Sequence, residues 1–424
     1  MRAFGELTKA EAAALLKKER TEFERIKGKG LNLDMTRGKP GADLLGENMD
    51  LLDLVGSGTG FKSEDGTDCR NYGILDGLPE MRRLFAEMLG CKTQQVIAAG
   101  NSSLNLMFDA VAQGMTHGFG DKPWFSHQPI KFLCPAPGYD RHFAVCQHFG
   151  IEMITVDMTP DGPDMDAVEK LVKDSAVKGM WCVPKYSNPE GITYSEVVVR
   201  RIARLTPAAR DFRVFWDNAY VIHDLTDETE PLLPILPECE AAANPDLVLM
   251  FASTSKITFP GAGVAAVAAS ESNIKLLRTR MSMQTIGPDK INQLRHARKF
   301  KDLAGLQSHM ERFIPLLAPR FNAVIAVLER ELSGSGVTWT NPKGGYFISV
   351  DVLPGTAKRV VELCKEGGVT LTAAGATFPC GRDPRDRNIR IAPTLPPVTE
   401  LEAAMELFSV AVKMAALEQL SANS

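Results

Sequence analysis

Residues 246–263 read DLVLMFASTSKITFPGAG, and this stretch guides the interpretation of the rest of the sequence. Its apolar run, Leu247 to Phe251, is typical of a strand that is buried on both faces of a sheet. Lys256 follows this strand, flanked by hydroxyl residues, and a run of small residues comes later at Gly261-Ala262-Gly263. Loss of water around such a lysine favours its neutral amine, which is the form that condenses with an aldehyde. On this stretch alone, a lysine that reaches solvent at a strand end is the commoner interpretation.

The composition is that of an ordinary globular protein and argues against several classes of function. The 424 residues exceed a single hydrophobic core, so we expect two domains. The net charge is −4 without a basic tract, so no nucleic-acid partner is expected. No apolar run approaches the roughly 20 residues that a membrane span needs, so no membrane partner is expected either.

The cysteines indicate the compartment. The sequence has 8 cysteines, scattered and without a CxxC pair. This pattern favours reduced thiols over a disulfide framework or a zinc site, and we expect no metal. The N-terminus has no signal-peptide pattern, so the sequence predicts a cytoplasmic protein.

Apolar strand candidates alternate with helical patterns between residues 96 and 270. The strand candidates are Val96–Ala99, Lys131–Cys134, Glu152–Val156, Met180–Val183, Val214–Trp216 and Leu247–Phe251. This alternation predicts an α/β fold, with a mainly parallel sheet flanked by helices. Ligands of such sheets bind beyond the carboxyl ends of the strands, and the unusual residues of this sequence lie there.

The remainder of the chain has a different pattern. After Gly305 the apolar spacing predicts a long helix, which Pro315 and Pro319 should kink or delay. Strand and helix patterns follow that are typical of a smaller α+β domain. We expect three parts: an N-terminal segment that joins the small domain (1–50), a large ligand-binding domain (51–305) and a C-terminal small domain (306–424).

Four further strand ends carry polar or aromatic residues. Ser102 and Ser103 begin a helix, where hydroxyls and free backbone amides can hold a phosphate, although serine there is usually only a cap. Tyr139 follows a rigid Pro-Gly turn, and Asn188 begins an Asn-Pro turn. Asp217 follows three apolar residues, so its burial requires a cation or several hydrogen-bond donors.

Together with Lys256, these residues match the requirements of pyridoxal 5′-phosphate. The aldehyde of this cofactor needs a lysine, and its pyridine nitrogen needs a carboxylate to stay protonated. Its 3′-oxygen needs neutral donors, its ring needs a stacking partner, and its phosphate needs amides and hydroxyls. Because the combination is far more specific than any single member, the sequence predicts pyridoxal 5′-phosphate as the cofactor.

The sequence resembles the fold-type I, class I pyridoxal-phosphate aminotransferases over nearly its whole length. The matching motifs, in the order of the family, are RGKP at 37–40, YGILDGLPEMRR at 72–83, GNSS at 100–103, PAPGY at 135–139, NPEG at 188–191, DNAY at 217–220, STSK at 253–256, PKGGYF at 342–347 and RIAP at 390–393. Within this class it is most similar to the divergent aspartate aminotransferase subgroup often labelled Ic. TRGKP, GNSSLNLM, NPEGITYS and NIRIAPTLPP carry this closer match.

The resemblance implies a reaction and a catalytic residue. The reaction is the ping-pong transfer of the amino group of L-aspartate to 2-oxoglutarate, which gives oxaloacetate and L-glutamate. Lys256 would hold the cofactor as a Schiff base and then move the proton between the substrate Cα and the cofactor. Asp217 would pair with the pyridine nitrogen, and Asn188 and Tyr220 would donate to the 3′-oxygen.

The resemblance also implies the remaining cofactor contacts and a homodimer. Tyr139 would stack on the cofactor ring. The phosphate would be bound by Ser102, Ser103, Ser253, Ser255 and Tyr72 of the partner subunit. Because this tyrosine acts across a subunit boundary, we expect a homodimer with two shared active sites.

One departure from the family concerns the phosphate. Most members carry an arginine seven or eight residues after the lysine, whereas residues 260–265 here read PGAGVA. Phosphate binding must therefore rely on hydroxyls and amides, or on a cation from elsewhere in the chain.

The substrate site needs cations for two carboxylates. The resemblance assigns the α-carboxylate to Arg390, whose planar guanidinium suits a carboxylate, with Asn188 and Gly38 also in the substrate site. The partner arginine that most relatives use for the distal carboxylate has no match in residues 281–286. Arg141 is our candidate for this role, and Arg37 and Lys39 are its rivals.

Two alternatives to an aspartate aminotransferase remain open. One is an aminotransferase with another donor (alanine, kynurenine or aromatic amino acids), because specificity depends on a few loop cations. The other is a non-catalytic regulatory module behind a DNA-binding domain, which the negative net charge and the first motif at residue 37 disfavour. We expect small amino acids and 2-oxo acids as substrates.

Overall fold

The computed structural model describes residues 3–36 and 38–422. Its α-helices are α1 (Lys9–Lys27), α2 (Ala42–Gly46), α3 (Pro79–Leu89), α4 (Ser103–His117), α5 (Asp140–His148), α6 (Met165–Leu171), α7 (Glu196–Ala203), α8 (Ile235–Ala241), α9 (Glu271–Gln284), α10 (Lys290–Phe300), α11 (Leu303–Glu311), α12 (Ile314–Leu332), α13 (Ala357–Glu366) and α14 (Val398–Ala422). Its strands are β1 (Leu33–Asp34), β2 (Val96–Ala98), β3 (Lys131–Ala136), β4 (Glu152–Thr159), β5 (Gly162–Pro163), β6 (Val177–Cys182), β7 (Arg213–Asp217), β8 (Val248–Ser253), β9 (Ala265–Ala269), β10 (Thr338–Trp339), β11 (Ile348–Asp351), β12 (Val369–Thr370) and β13 (Asn388–Ile391).

The large sheet has the strand order β2-β9-β8-β7-β6-β3-β4-β5. Strands β4, β3, β6, β7 and β8 are parallel to one another, whereas β5 pairs antiparallel with β4, and β9 runs antiparallel between β8 and β2. The predicted α/β fold with a mainly parallel sheet is therefore confirmed. The sequence did not predict β9, because its alanine-rich stretch has a weak strand propensity and no polar alternation.

Strand β8 is buried on both faces, as its apolar run predicts. Leu249 and Phe251 belong to one hydrophobic core. Val248 and Met250 belong to the core on the opposite face. Because successive side chains of a strand point to opposite faces, β8 holds the two cores together and fixes the position of the residues that follow it.

The predicted long helix is interrupted near its beginning. Helix α11 ends at Glu311, and α12 begins at Ile314 with Pro315 in its first turn. Proline fits a first turn because the amide hydrogen that it lacks would have no partner there. Pro319 lies inside α12. No helix among residues 3–36 and 38–422 is both long enough and apolar enough to span a bilayer.

Two smaller sheets lie outside the large one. Strands β10, β11 and β13 form an antiparallel sheet, and β1 pairs in parallel with β12. Helix α1 packs against α14, and α14 also packs against α12 and α13. These contacts support an N-terminal segment that joins the small domain, and the three-part division of the chain stays a prediction.

Candidate functional site

One edge of the large sheet borders a cavity of about 630 Å³. It lies where β3, β6, β7 and β8 end, since the loops after these parallel strands all reach the same edge. The sequence-predicted residues that line the cavity are Gly38, Ser103, Tyr139, Arg141, Asn188, Asp217, Tyr220, Lys256 and Arg390. The structure therefore brings most of the candidate site together.

Lys256 lies three residues beyond the end of β8, at the cavity. Its Nζ lies 4.7 Å from the ring centroid of Tyr220 and 6.0 Å from that of Tyr346. The hydroxyl of Tyr346 also donates to the backbone oxygen of Lys256 at 3.2 Å. Burial lowers the pKa of Lys256, and the charge of Asp217 offsets only part of this effect. The surroundings thus favour the neutral amine.

Asp217 is the last residue of β7, and its side chain is buried. Its Oδ2 lies 3.0 Å from Nε2 of His142, whose ring stacks on Trp181 with 4.4 Å between the centroids. The other oxygen, Oδ1, is buried and has no hydrogen-bond partner among the described residues. A buried carboxylate oxygen without a donor is costly, so this atom is suited to a donor that a ligand brings.

Arg390 and Asn188 form a second cluster on the cavity wall. The side chain of Arg390 is only 5% exposed. Its Nη1 donates to Asn188 Oδ1 at 3.2 Å, and the guanidinium lies 4.8 Å from the ring centroid of Phe347. Because the carboxamide oxygen of Asn188 accepts from Arg390, its amino group is turned to other acceptors.

Two tyrosines of the cavity keep their protons. Burial raises the pKa of Tyr139 to about 12. Burial also raises the pKa of Tyr220 well above its ordinary value. Both hydroxyls are therefore neutral hydrogen-bond donors at physiological pH. The ring of Tyr139 also meets the ring of His142 edge-on, at 5.0 Å between centroids.

The predicted phosphate residues form a cluster of hydroxyls beside the cavity. Ser102 caps α4 and accepts from the backbone N–H of Asn105 at 3.3 Å. Ser253 Oγ donates to Ser255 Oγ at 3.1 Å, and Ser255 Oγ donates to the backbone oxygen of Asn101 at 3.2 Å. Within the described part of the chain, none of these serines contacts a cation. The cluster consists of neutral donors, as the missing arginine suggests.

Three predicted residues need separate mention. Tyr72 is 80% exposed and does not line this cavity. Arg141 and its rival Lys39 line the cavity with exposed side chains. Arg37 lies outside the described residues, so its assignment stays a prediction.

Several residues of the site were not found from the sequence. His142 and His223 are buried beside Asp217 and Lys256, respectively. Burial and the charge of Lys256 lower the pKa of His223 to about 3, so this ring stays neutral. The sequence did contain an indication for His142, because this residue lies in a predicted helix, one helical turn after the candidate site residue Tyr139. A single histidine in an apolar helical pattern is nevertheless more often a packing residue.

Residues 7–424 match the model of the family described as aspartate amino-transferase. The chain belongs to this family. An aspartate aminotransferase of Corynebacterium glutamicum is 50% identical to it over 400 residues, which are 94% of this chain and 92% of the relative. The crystal structure of an aspartate transaminase from the same organism superposes with a TM-score of 0.96, at 47% identity and over 99% of both chains.

A more distant solved structure shares the fold. The α-aminoadipate aminotransferase of Thermus thermophilus, in complex with N-(5′-phosphopyridoxyl)-L-leucine, superposes with a TM-score of 0.74. It is 21% identical and covers 93% of this chain and 95% of its own. The fold-type I assignment and the family resemblance are confirmed, and the protein is an aminotransferase.

Proposed function

We propose that the protein is a pyridoxal-phosphate-dependent aspartate aminotransferase. It transfers the amino group of L-aspartate to 2-oxoglutarate by a ping-pong mechanism. The names of its relatives from Corynebacterium glutamicum support the donor. The observation that carries the proposal is the buried, unpartnered Oδ1 of Asp217 on the same cavity as Lys256.

The residues of the cavity fit the cofactor. Asp217 Oδ1 would accept from the protonated pyridine nitrogen, because it has no donor among the residues that the structure describes. The amino group of Asn188 and the hydroxyl of Tyr220 would donate to the 3′-oxygen, and the ring of Tyr139 would lie against the cofactor ring. The phosphate would be bound by the amides and hydroxyls of Ser102, Ser103, Ser253 and Ser255.

The protein supplies the proton transfer. When bound, pyridoxal phosphate withdraws electrons from the substrate Cα and makes its hydrogen acidic. The neutral amine of Lys256 then takes this proton and later returns it, as a general base and acid. The lowered pKa of Lys256 favours the base form. His142 holds Asp217 in place through the 3.0 Å contact.

The substrate would be held through its two carboxylates. Arg390 would bind the α-carboxylate, because its guanidinium presents several donors in one plane. Arg141 would bind the distal carboxylate of aspartate, since it lines the cavity with an exposed side chain. Lys39 and Arg37 remain its rivals, and Gly38 lies on the same loop.

We also propose a cytoplasmic homodimer. All eight cysteines are free thiols, which fits a reducing compartment. Tyr72 is 80% exposed, as expected for a side chain that reaches the phosphate site of a second subunit.

The test is an absorption spectrum of the purified protein with pyridoxal phosphate. The cofactor band should shift when aspartate is added and return when 2-oxoglutarate follows. Arg141→Gln should weaken the response to aspartate by about tenfold, with little effect on alanine, because only aspartate has a distal carboxylate.

Two results would contradict this proposal. A band that responds only to alanine, kynurenine or aromatic donors would keep the reaction but overturn aspartate as the substrate. A protein that shows no band with an excess of pyridoxal phosphate would overturn the cofactor assignment itself.

A further inference from the structure

Arg390, the residue proposed to bind the substrate α-carboxylate, already pairs with a carboxylate of the protein itself. Arg390 Nη1 donates to Asp140 Oδ1 at 3.1 Å, and Nη2 donates to Thr372 Oγ1 at 3.3 Å. Asp140 lines the same cavity as Lys256. The two terminal nitrogens of the guanidinium are therefore occupied, one of them by a charged partner.

The α-carboxylate of a substrate would have to bind the same two atoms, Nη1 and Nη2 of Arg390. The third nitrogen, Nε of Arg390, is buried and reaches no partner among the described residues, so the side edge of the guanidinium is closed to a ligand. The end that carries Nη1 and Nη2 is left, and a carboxylate that binds there by two hydrogen bonds must take the place of Asp140.

We propose that Asp140 is an internal competitor for the substrate α-carboxylate. It pairs with Arg390 in the ligand-free enzyme and gives up Nη1 when an amino acid or a 2-oxo acid binds. This inference rests on the proposed function, because it takes Arg390 as the α-carboxylate clamp. Asp140 thus acts on the affinity for substrate and is not a catalytic residue.

The local structure gives the displaced carboxylate a favourable position. Asp140 is the first residue of α5, and its side chain is 36% exposed. The free backbone amides at a helix N-terminus stabilise a negative charge. Asp140 can therefore leave Arg390 without losing water or electrostatic stabilisation, whereas Arg390, which is nearly buried, always keeps an anionic partner.

The competition has a distinct kinetic signature. Every substrate has an α-carboxylate, so Asp140 weakens the binding of amino donors and of 2-oxo acids by the same factor. An effect that weakens the binding of all substrates equally changes each KM but leaves the ratio of the KM values of two substrates unchanged. A residue that recognises the substrate side chain would change this ratio instead.

The test is Asp140→Asn in the holoenzyme, which removes the charge and keeps an oxygen that Arg390 can contact. We expect KM for aspartate and for 2-oxoglutarate to fall by about tenfold each, because a charged hydrogen bond no longer has to be broken. Succinate, an unreactive dicarboxylate, should bind about tenfold more tightly in a titration of the cofactor band.

The matched control is Asp43→Asn. Asp43 is 37% exposed and lies 2.9 Å from Nη2 of Arg320, which is 9% exposed, so this pair resembles the Asp140–Arg390 pair but lies outside the cavity. The control should lose stability without any change in KM. Asp140→Asn should lower the Tm of the ligand-free enzyme and increase the rise in Tm that succinate causes.

The outcomes separate the two proposals. If the wild type does not respond to any amino acid, the proposed function fails. If the wild type is active but Asp140→Asn leaves both KM values unchanged or raises them, only the competitor is wrong. Asp140→Ser gives the same test should the asparagine variant not fold.

Discussion

Lys256 combines a reactive amine with an environment that disfavours its charge. Burial lowers its pKa from the ordinary value of 10.5, and the charge of Asp217 raises it by a smaller amount. As the pH rises through this lowered pKa, the amine loses its proton and becomes able to attack an aldehyde. We expect labelling of the apoprotein at Lys256 by pyridoxal phosphate, trapped with borohydride and measured by mass spectrometry, to level off below pH 10.5.

Asp217→Asn tests the balance of these two effects. Removal of the carboxylate takes away an attraction for the lysine charge that raises the pKa of Lys256, so the midpoint of labelling should move to lower pH. The midpoint is the informative quantity, because we expect the variant to bind the cofactor more weakly as well. A labelling midpoint at or above pH 10.5 in the wild type would contradict the lowered pKa, because it would show that the amine of Lys256 remains hydrated.

The sequence predicted the site residues that lie at strand ends, but it did not predict the residues that contact them in the folded protein. Lys256, Asp217 and Asn188 follow apolar strands, so their position at one edge followed from the fold. Asp140 and His142 reach the site through tertiary contacts with Arg390 and Asp217, across 250 and 75 residues of sequence. No local pattern encodes such pairs.

Strands β3 and β6 pack closely at a glycine, Gly179. Gly179 pairs with Phe132 in the register of the sheet, and a Cβ at Gly179 would lie 2.4 Å from the Phe132 ring. This ring is buried among Trp124, Trp181 and Phe215 and cannot move away. We expect Gly179→Ala to destabilise the protein by about 1–3 kcal/mol, measured as a lower midpoint of urea unfolding.

Two further variants test this explanation. Gly56→Ala is the control, because a Cβ there meets nothing within 4 Å. Phe132→Leu in the Gly179→Ala background should recover part of the loss, since it makes room for the added methyl group. Equal effects of Gly56→Ala and Gly179→Ala would exclude the steric contact as the cause.

The elements themselves were largely predictable, and the failures have physical reasons. The capping box of α1 is visible in the sequence, where Thr8 Oγ1 accepts from the Glu11 amide at 3.3 Å and Glu11 accepts from the Thr8 amide at 2.8 Å. Strand β9 escaped prediction because its alanines become a strand only through pairing with β2 and β8. Tertiary pairing outweighs propensity there.

An exposed apolar surface indicates how two molecules would meet. Met283 is 83% exposed and Ile286 is 62% exposed, and the backbone of Gly287 packs against Gly73, next to Tyr72. A group of exposed apolar side chains of this kind favours an interface. We expect Met283→Asp/Ile286→Asp to give monomers in analytical ultracentrifugation and to lose activity, because each site would lack Tyr72 of the partner subunit.

The control for this prediction is Val197→Asp. Val197 is 66% exposed on α7, so the variant introduces one aspartate at a similarly exposed position, half the charge that the double variant adds. It should remain dimeric and active. A double variant that is monomeric yet fully active would refute the shared active site, and a dimeric one would place the interface elsewhere.

The contact between α1 and α14 joins the beginning of the chain to its end. During synthesis α1 is made long before α14, so its apolar residues Leu16, Phe23 and Ile26, which are buried in the folded protein, lack the covering helix α14 until that helix has been made. At roughly 5–20 residues per second, this delay lasts on the order of tens of seconds, and β9, the last strand of the large sheet to be made, is synthesised before it ends. A product truncated before α14 would leave the apolar side chains of α1 without the helix that packs against them, and we expect such a product to aggregate.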